Sequence, residues 1–90
     1  NPRVFYDELF KYLQAYLASG LSLSPAQMTQ ENVRRMLSAR NVPAATIQDL
    51  LSVWHTCEQA VFAGQTQAAQ MAGTLRTAES AIRVLDKSLR

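Results

Sequence analysis

The apolar residues in the C-terminal part of the chain recur at alternating spacings of three and four. From about Thr66 to Leu89, the residues on this repeat are Ala68, Met71, Leu75, Ala78, Ile82, Leu85 and Leu89. A heptad repeat of this kind lays one apolar stripe along an α-helix. Glu79 to Arg83 and Asp86 to Arg90 are acid-before-base pairs four residues apart, which is typical of a solvated face. The repeat therefore predicts a long amphipathic helix whose stripe needs a packing partner.

A second amphipathic segment lies at the N-terminus. It is predicted to run from about Pro2 to Ser19, because proline is tolerated in the first helical turn and Gly20 is typical of a residue that follows a helix. Its apolar stripe comprises Phe5, Tyr6, Leu9, Phe10, Tyr12, Leu13, Tyr16 and Leu17. A stripe of this width is typical of a helix that packs against several neighbours.

A short helix is predicted next. Residues 24–27 have the spacing of a capping box with proline at the first helical position, which indicates one helical turn. Thr29 is a candidate N-cap for a second helix that ends near Arg40, and Asn41 can adopt the left-handed conformation that ends a helix. The residues expected to be buried on this helix are Val33, Met36 and Leu37.

A third helix is predicted from Pro43 to about Ala63, and Gly64 closes it. The apolar residues that share one side of it are Ile47, Leu50, Leu51, Trp54, Cys57, Val61 and Phe62. This side provides a further surface that the other helices can cover.

Together these segments predict an all-α fold in a single domain covering residues 1–90. A chain of this size has room for one core, and we expect a four-helix, mostly antiparallel bundle with a short extra helical turn before helix two. The residues expected to define the core are Leu9, Leu13, Tyr16, Leu37, Leu51, Trp54, Val61, Leu75, Ile82 and Leu85. The alternative is a homodimerising module, in which the heptad stripes of two chains pack together.

The reactive side chains argue against an enzyme. His55 and Cys57 are the single histidine and the single cysteine, and they point about 200° apart around a helix. They cannot share a proton as a base and nucleophile, and they cannot complete a metal site by themselves. We therefore predict no catalytic residues, no metal and no cofactor.

Glu58 is the anomaly of helix three, because the helical wheel places it within the apolar side. A carboxylate buried without a partner costs several kcal/mol. Arg40 lies in the centre of its own helix's apolar stripe, so we predict a buried polar pair between Arg40 and Glu58, with the tyrosines as other candidate partners. The alternative is that Glu58 lies at a solvated rim of the bundle.

Helices two and three, joined by a short connection, also resemble a helix-turn-helix. The leading end of the second helix would present Ala44, Ala45, Gln48 and Asp49. None of these is a cation that could meet phosphate or guanine, and Arg34 and Arg35 lie on the other helix. The net charge of +2 is small, so a nucleic-acid-binding module is an alternative and no nucleic acid is expected as a partner.

The order of these segments resembles a known family, the C-terminal domain of the aerotolerance protein BatD. The residues that carry the resemblance are Phe5-Tyr6-Asp7-Glu8-Leu9, Met28-Thr29-Gln30-Glu31-Asn32-Val33, Leu37-Ser38-Ala39-Arg40-Asn41-Val42, Leu50-Leu51 and Cys57-Glu58-Gln59-Ala60-Val61-Phe62-Ala63. The Cys57-Glu58 pair is the most specific of these. Asn41 stands where the family usually has glycine, and Val61 where it often has a basic residue.

The resemblance implies a location and a set of partners. BatD-like proteins carry a transmembrane segment followed by a small helical domain on the cytoplasmic side of the bacterial inner membrane. The chain is then expected to be the C-terminal fragment of a longer membrane-anchored protein linked to oxygen and stress tolerance, with Asn1 following the anchor. The partners that the resemblance implies are von Willebrand A-type Bat proteins and a MoxR-type AAA+ ATPase.

Overall fold

The helices alternate with short turns along the whole described chain. The structure is a computed structural model that describes residues 2–64 and 68–89, except for the side chain of Ala68. Four α-helices are found there: α1 (Pro2–Leu21), α2 (Gln30–Ala39), α3 (Ala44–Phe62) and α4 (Met71–Ser88), with 3₁₀ turns at Pro25–Gln27 and Ala68–Gln70. The predicted four-helix bundle with an extra turn before helix two is confirmed. The predicted start of helix four at Thr66 lies outside the described residues.

The caps of α2 form as predicted. The Oγ1 atom of Thr29 accepts a hydrogen bond from the Asn32 backbone N–H at 3.1 Å. Asn41 has a φ of 62°, and the Val42 N–H donates to the Leu37 carbonyl at 3.1 Å, which closes a Schellman motif. These bonds satisfy backbone groups that the helix itself leaves unpaired.

The end of α1 differs from the prediction. Gly20 lies inside the last helical turn, and Ser22 takes the left-handed conformation with a φ of 55°. The Leu23 N–H donates to the Ala18 carbonyl at 3.0 Å, so this end is also a Schellman motif. A Cβ atom at Gly20 would lie 2.9 Å from Leu89 Cδ1. The glycine is therefore explained by the close approach of Leu89 rather than by the helix end.

Helix α3 is the central helix and packs against the other three. Gln30, at the start of α2, bonds Glu58 near the end of α3, so these two helices are antiparallel. The Tyr16 hydroxyl donates to the Asp86 carboxylate, and Gly20 faces Leu89, so α1 and α4 run in the same direction. Helices α3 and α4 pack against each other and are consecutive along the chain, with eight residues between them. Consecutive helices joined by a short connection are typically antiparallel neighbours, so α3 runs opposite to all three other helices.

The core contains apolar side chains from each of the four described helices. Trp54 is 3% exposed, and its ring meets Phe10 edge to face at a centroid distance of 5.9 Å. Each large side chain that is buried in this way stabilises the fold by about 1.5–3 kcal/mol. Among the predicted core residues, those that are buried are Leu9, Leu13, Leu37, Trp54 and Leu85, and those that are half-buried are Tyr16, Leu51, Val61 and Ile82.

The prediction for Leu75 is wrong, because this side chain is 40% exposed. Helix α4 buries Ala78, Ala81 and Leu85, and it packs mainly against α3 and only lightly against α1. The small alanines allow α4 to approach α3 closely. Leu75 is rotated away from this contact, toward the weakly packed side of α4.

Candidate docking groove

Helices α2 and α3 form an open groove of about 660 Å³ on the outside of the bundle. The apolar part of its lining consists of Ala44, Ile47 and Leu51, and Ile47 is 7% exposed. The polar residues that line it are Arg34, Ser38, Gln48, Ser52 and His55. The groove therefore has an apolar floor and an exposed polar rim.

The sequence builds this groove from short or polar residues beside core residues. On α2, Val33 and Leu37 are fully buried, so Arg34 and Ser38 lie one position further round the helix and face outward. On α3, the spacing of three and four residues between Ala44, Ile47, Gln48, Leu51, Ser52 and His55 keeps them on one side of the helix. Serine and alanine do not fill the space between the two helices, which leaves the groove open.

The charge of the groove has one sign. Arg34 and His55 are the ionisable groups of the lining, and no carboxylate lines the groove in the described part of the chain. The salt bridge found among the described residues joins Asp7 and Lys11 at 2.9 Å on α1. Arg34 forms no salt bridge with a described carboxylate. The guanidinium is therefore available to an anionic group.

The predicted pair between Arg40 and Glu58 does not form. Glu58 is half-buried and accepts a hydrogen bond from Gln30 Nε2 at 3.1 Å. Arg40 is exposed and caps the opposite end of α2. Since α2 and α3 are antiparallel, the N-terminus of α2 lies beside Glu58 and its C-terminus lies near the start of α3. The partner of Glu58 is therefore Gln30 and not a tyrosine. The half-buried position of Glu58 is closer to the alternative prediction, in which it lies at a solvated rim of the bundle.

Cys57 and His55 are separated as predicted. Cys57 is fully buried, and this burial raises the pKa of its thiol from 9.0 to about 11. His55 is exposed on the groove. No group of three or more histidine, cysteine, aspartate or glutamate residues within residues 2–64 and 68–89 is placed to hold a metal ion. The buried indole N–H of Trp54 has no hydrogen-bond partner among the described residues, and this residue does not line the groove.

The residues of the helix-turn-helix alternative are on the surface. Ala44, Ala45, Gln48 and Asp49 are exposed. Arg35 donates to the Asn32 side chain at 2.9 Å and does not line the groove, whereas Arg34 does. The exposed Asp49 would repel a phosphate backbone at the leading end of α3.

A second groove, of about 420 Å³, lies between α1 and α4. Its lining includes Tyr12, which is 55% exposed, and Leu75. The acid-before-base pair Glu79 and Arg83 also lines it, and these two side chains do not form a salt bridge in the described part of the chain. This groove carries both signs of charge and more exposed apolar surface than a solvated helix face requires.

Sequence reasoning did not find either groove. For the α2/α3 groove, the available signal was the ridge of small and polar residues at Ala44, Gln48 and Ser52, next to Ile47 and Leu51. For the α1/α4 groove, the heptad repeat pointed to burial of Leu75, and the repeat carries no information on which helix covers each residue.

Comparison of the chain with known protein families, with curated proteins and with solved structures finds no match. None of the helices in the described residues is both long enough and apolar enough to cross a membrane.

Proposed function

We propose that this chain is a non-catalytic docking domain that binds a partner protein. The observation that carries the proposal is the α2/α3 groove, which combines an apolar floor at Ile47 and Leu51 with an exposed rim that includes Arg34. Concave apolar surfaces with a few polar groups are the usual sites of specific recognition. The polar rim provides orientation and the floor provides buried area.

The protein that carries this domain is, in this proposal, a BatD-like membrane protein of oxygen or stress tolerance. The support is the order of segments along the chain, which resembles that family, above all at the Cys57-Glu58 pair. The domain would lie on the cytoplasmic face of the bacterial inner membrane, tethered through an upstream segment. Its partners would be von Willebrand A-type Bat proteins or a MoxR-type AAA+ ATPase, and no cofactor takes part.

The test is a binding titration with purified von Willebrand A-type Bat proteins and a MoxR-type ATPase, followed by calorimetry. We expect one of them to bind, and we expect Ser52→Tyr to weaken binding by at least about tenfold, which is about 1.4 kcal/mol. Ser80→Tyr is the matched control, because Ser80 is an exposed serine on α4 away from the groove. Failure of all of these proteins to bind would overturn the BatD-like assignment, and binding that ignores Ser52→Tyr would overturn the role of the groove.

Self-association is a second candidate function, and the α1/α4 groove favours it. Exposed Tyr12 and Leu75 provide apolar area, and Glu79 lies one helical turn from Arg83. In a two-fold symmetric dimer, if one residue contacts a second residue of the partner, the second also contacts the first. A patch with one acid and one base is therefore self-complementary, because Glu79 of each chain can face Arg83 of the other. Sedimentation that shows a monomer at high concentration would remove this candidate.

A further inference from the structure

We infer that the α2/α3 groove takes an acidic amphipathic helix of the partner protein, about three turns long, and this inference rests on the docking function proposed above. The apolar face of the incoming helix would lie on Ile47 and Leu51. Its carboxylates would face Arg34 and His55. This arrangement predicts the chemistry of the partner segment, which is apolar on one face and acidic beside it.

The dimensions of the groove favour a helix as its occupant. The residues that α3 contributes extend from Ala44 to His55, which corresponds to about 17 Å at a rise of 1.5 Å per residue. An apolar helix face laid between two helices is a common mode of peptide recognition, with contacts at positions i, i+3, i+4 and i+7. A helix of three turns contains about 11 residues and so carries one complete set of these four positions.

The shape of the floor indicates a protein segment rather than a nucleic acid. Ile47 and Leu51 are apolar residues of the lining, and phosphate or sugar groups laid on them would leave apolar surface uncompensated. Ser38, Gln48 and Ser52 surround this floor with groups that can donate or accept hydrogen bonds. The carboxylate of Asp49, exposed on the same helix, further disfavours a polyanion that is charged along its whole length.

The charge of the rim indicates that the incoming helix is acidic. Arg34 and His55 line the groove without a carboxylate among the described lining residues. An arginine side chain presents a planar set of donors that matches a carboxylate with two parallel hydrogen bonds. The α1/α4 groove differs here, since it holds both Glu79 and Arg83 and shows no preference of sign. Charge complementarity therefore assigns an acidic segment to the α2/α3 groove specifically.

The experiment uses two synthetic helical peptides of about 18 residues, which is about five turns. Both carry leucine at i, i+3, i+4 and i+7, and they differ in having glutamate or lysine on either side of the leucine stripe. Each peptide is labelled with fluorescein and titrated with the purified domain, and binding is followed by fluorescence anisotropy. We expect the glutamate peptide to bind at least about tenfold more tightly than the lysine peptide, a difference of about 1.4 kcal/mol.

The variant Arg34→Glu identifies the site, and Arg35→Glu is its matched control. Both variants change the net charge equally and lie at adjacent exposed positions of α2, but only Arg34 lines the groove. We expect Arg34→Glu to weaken the glutamate peptide at least about tenfold and to improve binding of the lysine peptide, whereas Arg35→Glu changes either affinity less than about twofold. Circular dichroism and the fluorescence of Trp54 verify that both variants are folded.

Three results would overturn the inference. These are equal binding of the two peptides, equal effects of Arg34→Glu and Arg35→Glu, and displacement of the glutamate peptide by random duplex DNA at lower concentration than by unlabelled peptide. If neither peptide binds while a Bat-type protein still binds in a manner sensitive to Ser52→Tyr, the acidic-helix inference fails and the docking function stands. If the glutamate peptide binds as expected and no Bat-type protein does, the inference stands and the BatD-like assignment fails.

Discussion

The two grooves of this bundle are built from similar helices but have different chemistry. The α2/α3 groove lies between antiparallel helices, has a floor of Ile47 and Leu51, and carries the cation Arg34 with no carboxylate among its described lining residues. The α1/α4 groove lies between parallel helices, exposes Tyr12 and Leu75, and carries charges of both signs. Both grooves exist because α3 packs against α2 and α4, whereas the difference in charge comes from the side chains that line each groove. Where a helix packs mainly against α3, its outer flank becomes the wall of a groove.

Removal of the anchor of α2 is expected to have the largest effect on this comparison. Leu37 is fully buried and fixes α2 against the core, so Leu37→Ala should destabilise the fold by about 2–5 kcal/mol through lost burial and a residual cavity. Urea unfolding followed by Trp54 fluorescence measures the change. Ser38→Ala is the control at the neighbouring exposed position, with an expected change of less than about 0.5 kcal/mol. Equal effects would show that α2 is not held by Leu37.

The buried thiol on α3 is expected to make the stability of the whole bundle sensitive to alkaline pH. Burial raises the pKa of Cys57 to about 11, so the folded state favours the protonated thiol. Its contribution is fully present below pH 9 and is lost as the pH rises from 9 to 11, by up to about 2.7 kcal/mol at 1.36 kcal/mol per pH unit.

The measurement is the free energy of unfolding against pH for the natural chain and for Cys57→Ala. The difference between the two proteins isolates the thiol from the other groups that titrate in this range. We expect the natural chain to lose stability relative to Cys57→Ala steadily between pH 9 and 11, by up to about 2.7 kcal/mol. A constant difference across this range would contradict the burial of the thiol.

The close approach of α1 and α4 can be tested with two glycines. Gly73 has open space around the position of a Cβ atom, so Gly73→Ala should stabilise α4 by about 0.5–1 kcal/mol through helix propensity. Gly20→Ala should gain less, because the new Cβ would lie 2.9 Å from Leu89 Cδ1 and would displace that side chain. Thermal unfolding of both variants measures the difference. Equal stabilisation would mean that α1 and α4 do not approach closely at this end.

A small effect on stability is expected at Leu75. Because this side chain is 40% exposed, Leu75→Gln should change the free energy of unfolding by about 1 kcal/mol or less. The same substitution should shift sedimentation toward the monomer if chains associate through the α1/α4 groove. Ser80→Gln, at an exposed position of α4, should leave sedimentation unchanged. A large loss of stability in Leu75→Gln would show that this residue is buried in the core after all.

Some features of the molecule were predictable because neighbouring residues decide them. Thr29 caps α2 and Asn41 ends it through hydrogen bonds that span five residues or fewer, and their side chains carry that preference in any fold. The stripe on α1 was predictable for the same reason, since a helix of this amphipathicity has one side to bury. The candidate groove was not predictable in this way, because Arg34 and Ser52 come together only across two helices.

The amino-acid sequence by itself determined the four helices, most of their boundaries and most of the apolar side of each, because these depend on contacts within one or two turns; Tyr12, Phe62 and Leu75 are the exposed exceptions. The tertiary structure alone decided that Gln30 meets Glu58 in place of Arg40, that Gly20 makes room for Leu89, and that Leu75 lies at a rim. These outcomes depend on the direction and closeness of helix packing. An apolar stripe predicts that one side of a helix is covered. The shape of the neighbouring helix decides which residues of the stripe are covered and where a groove remains.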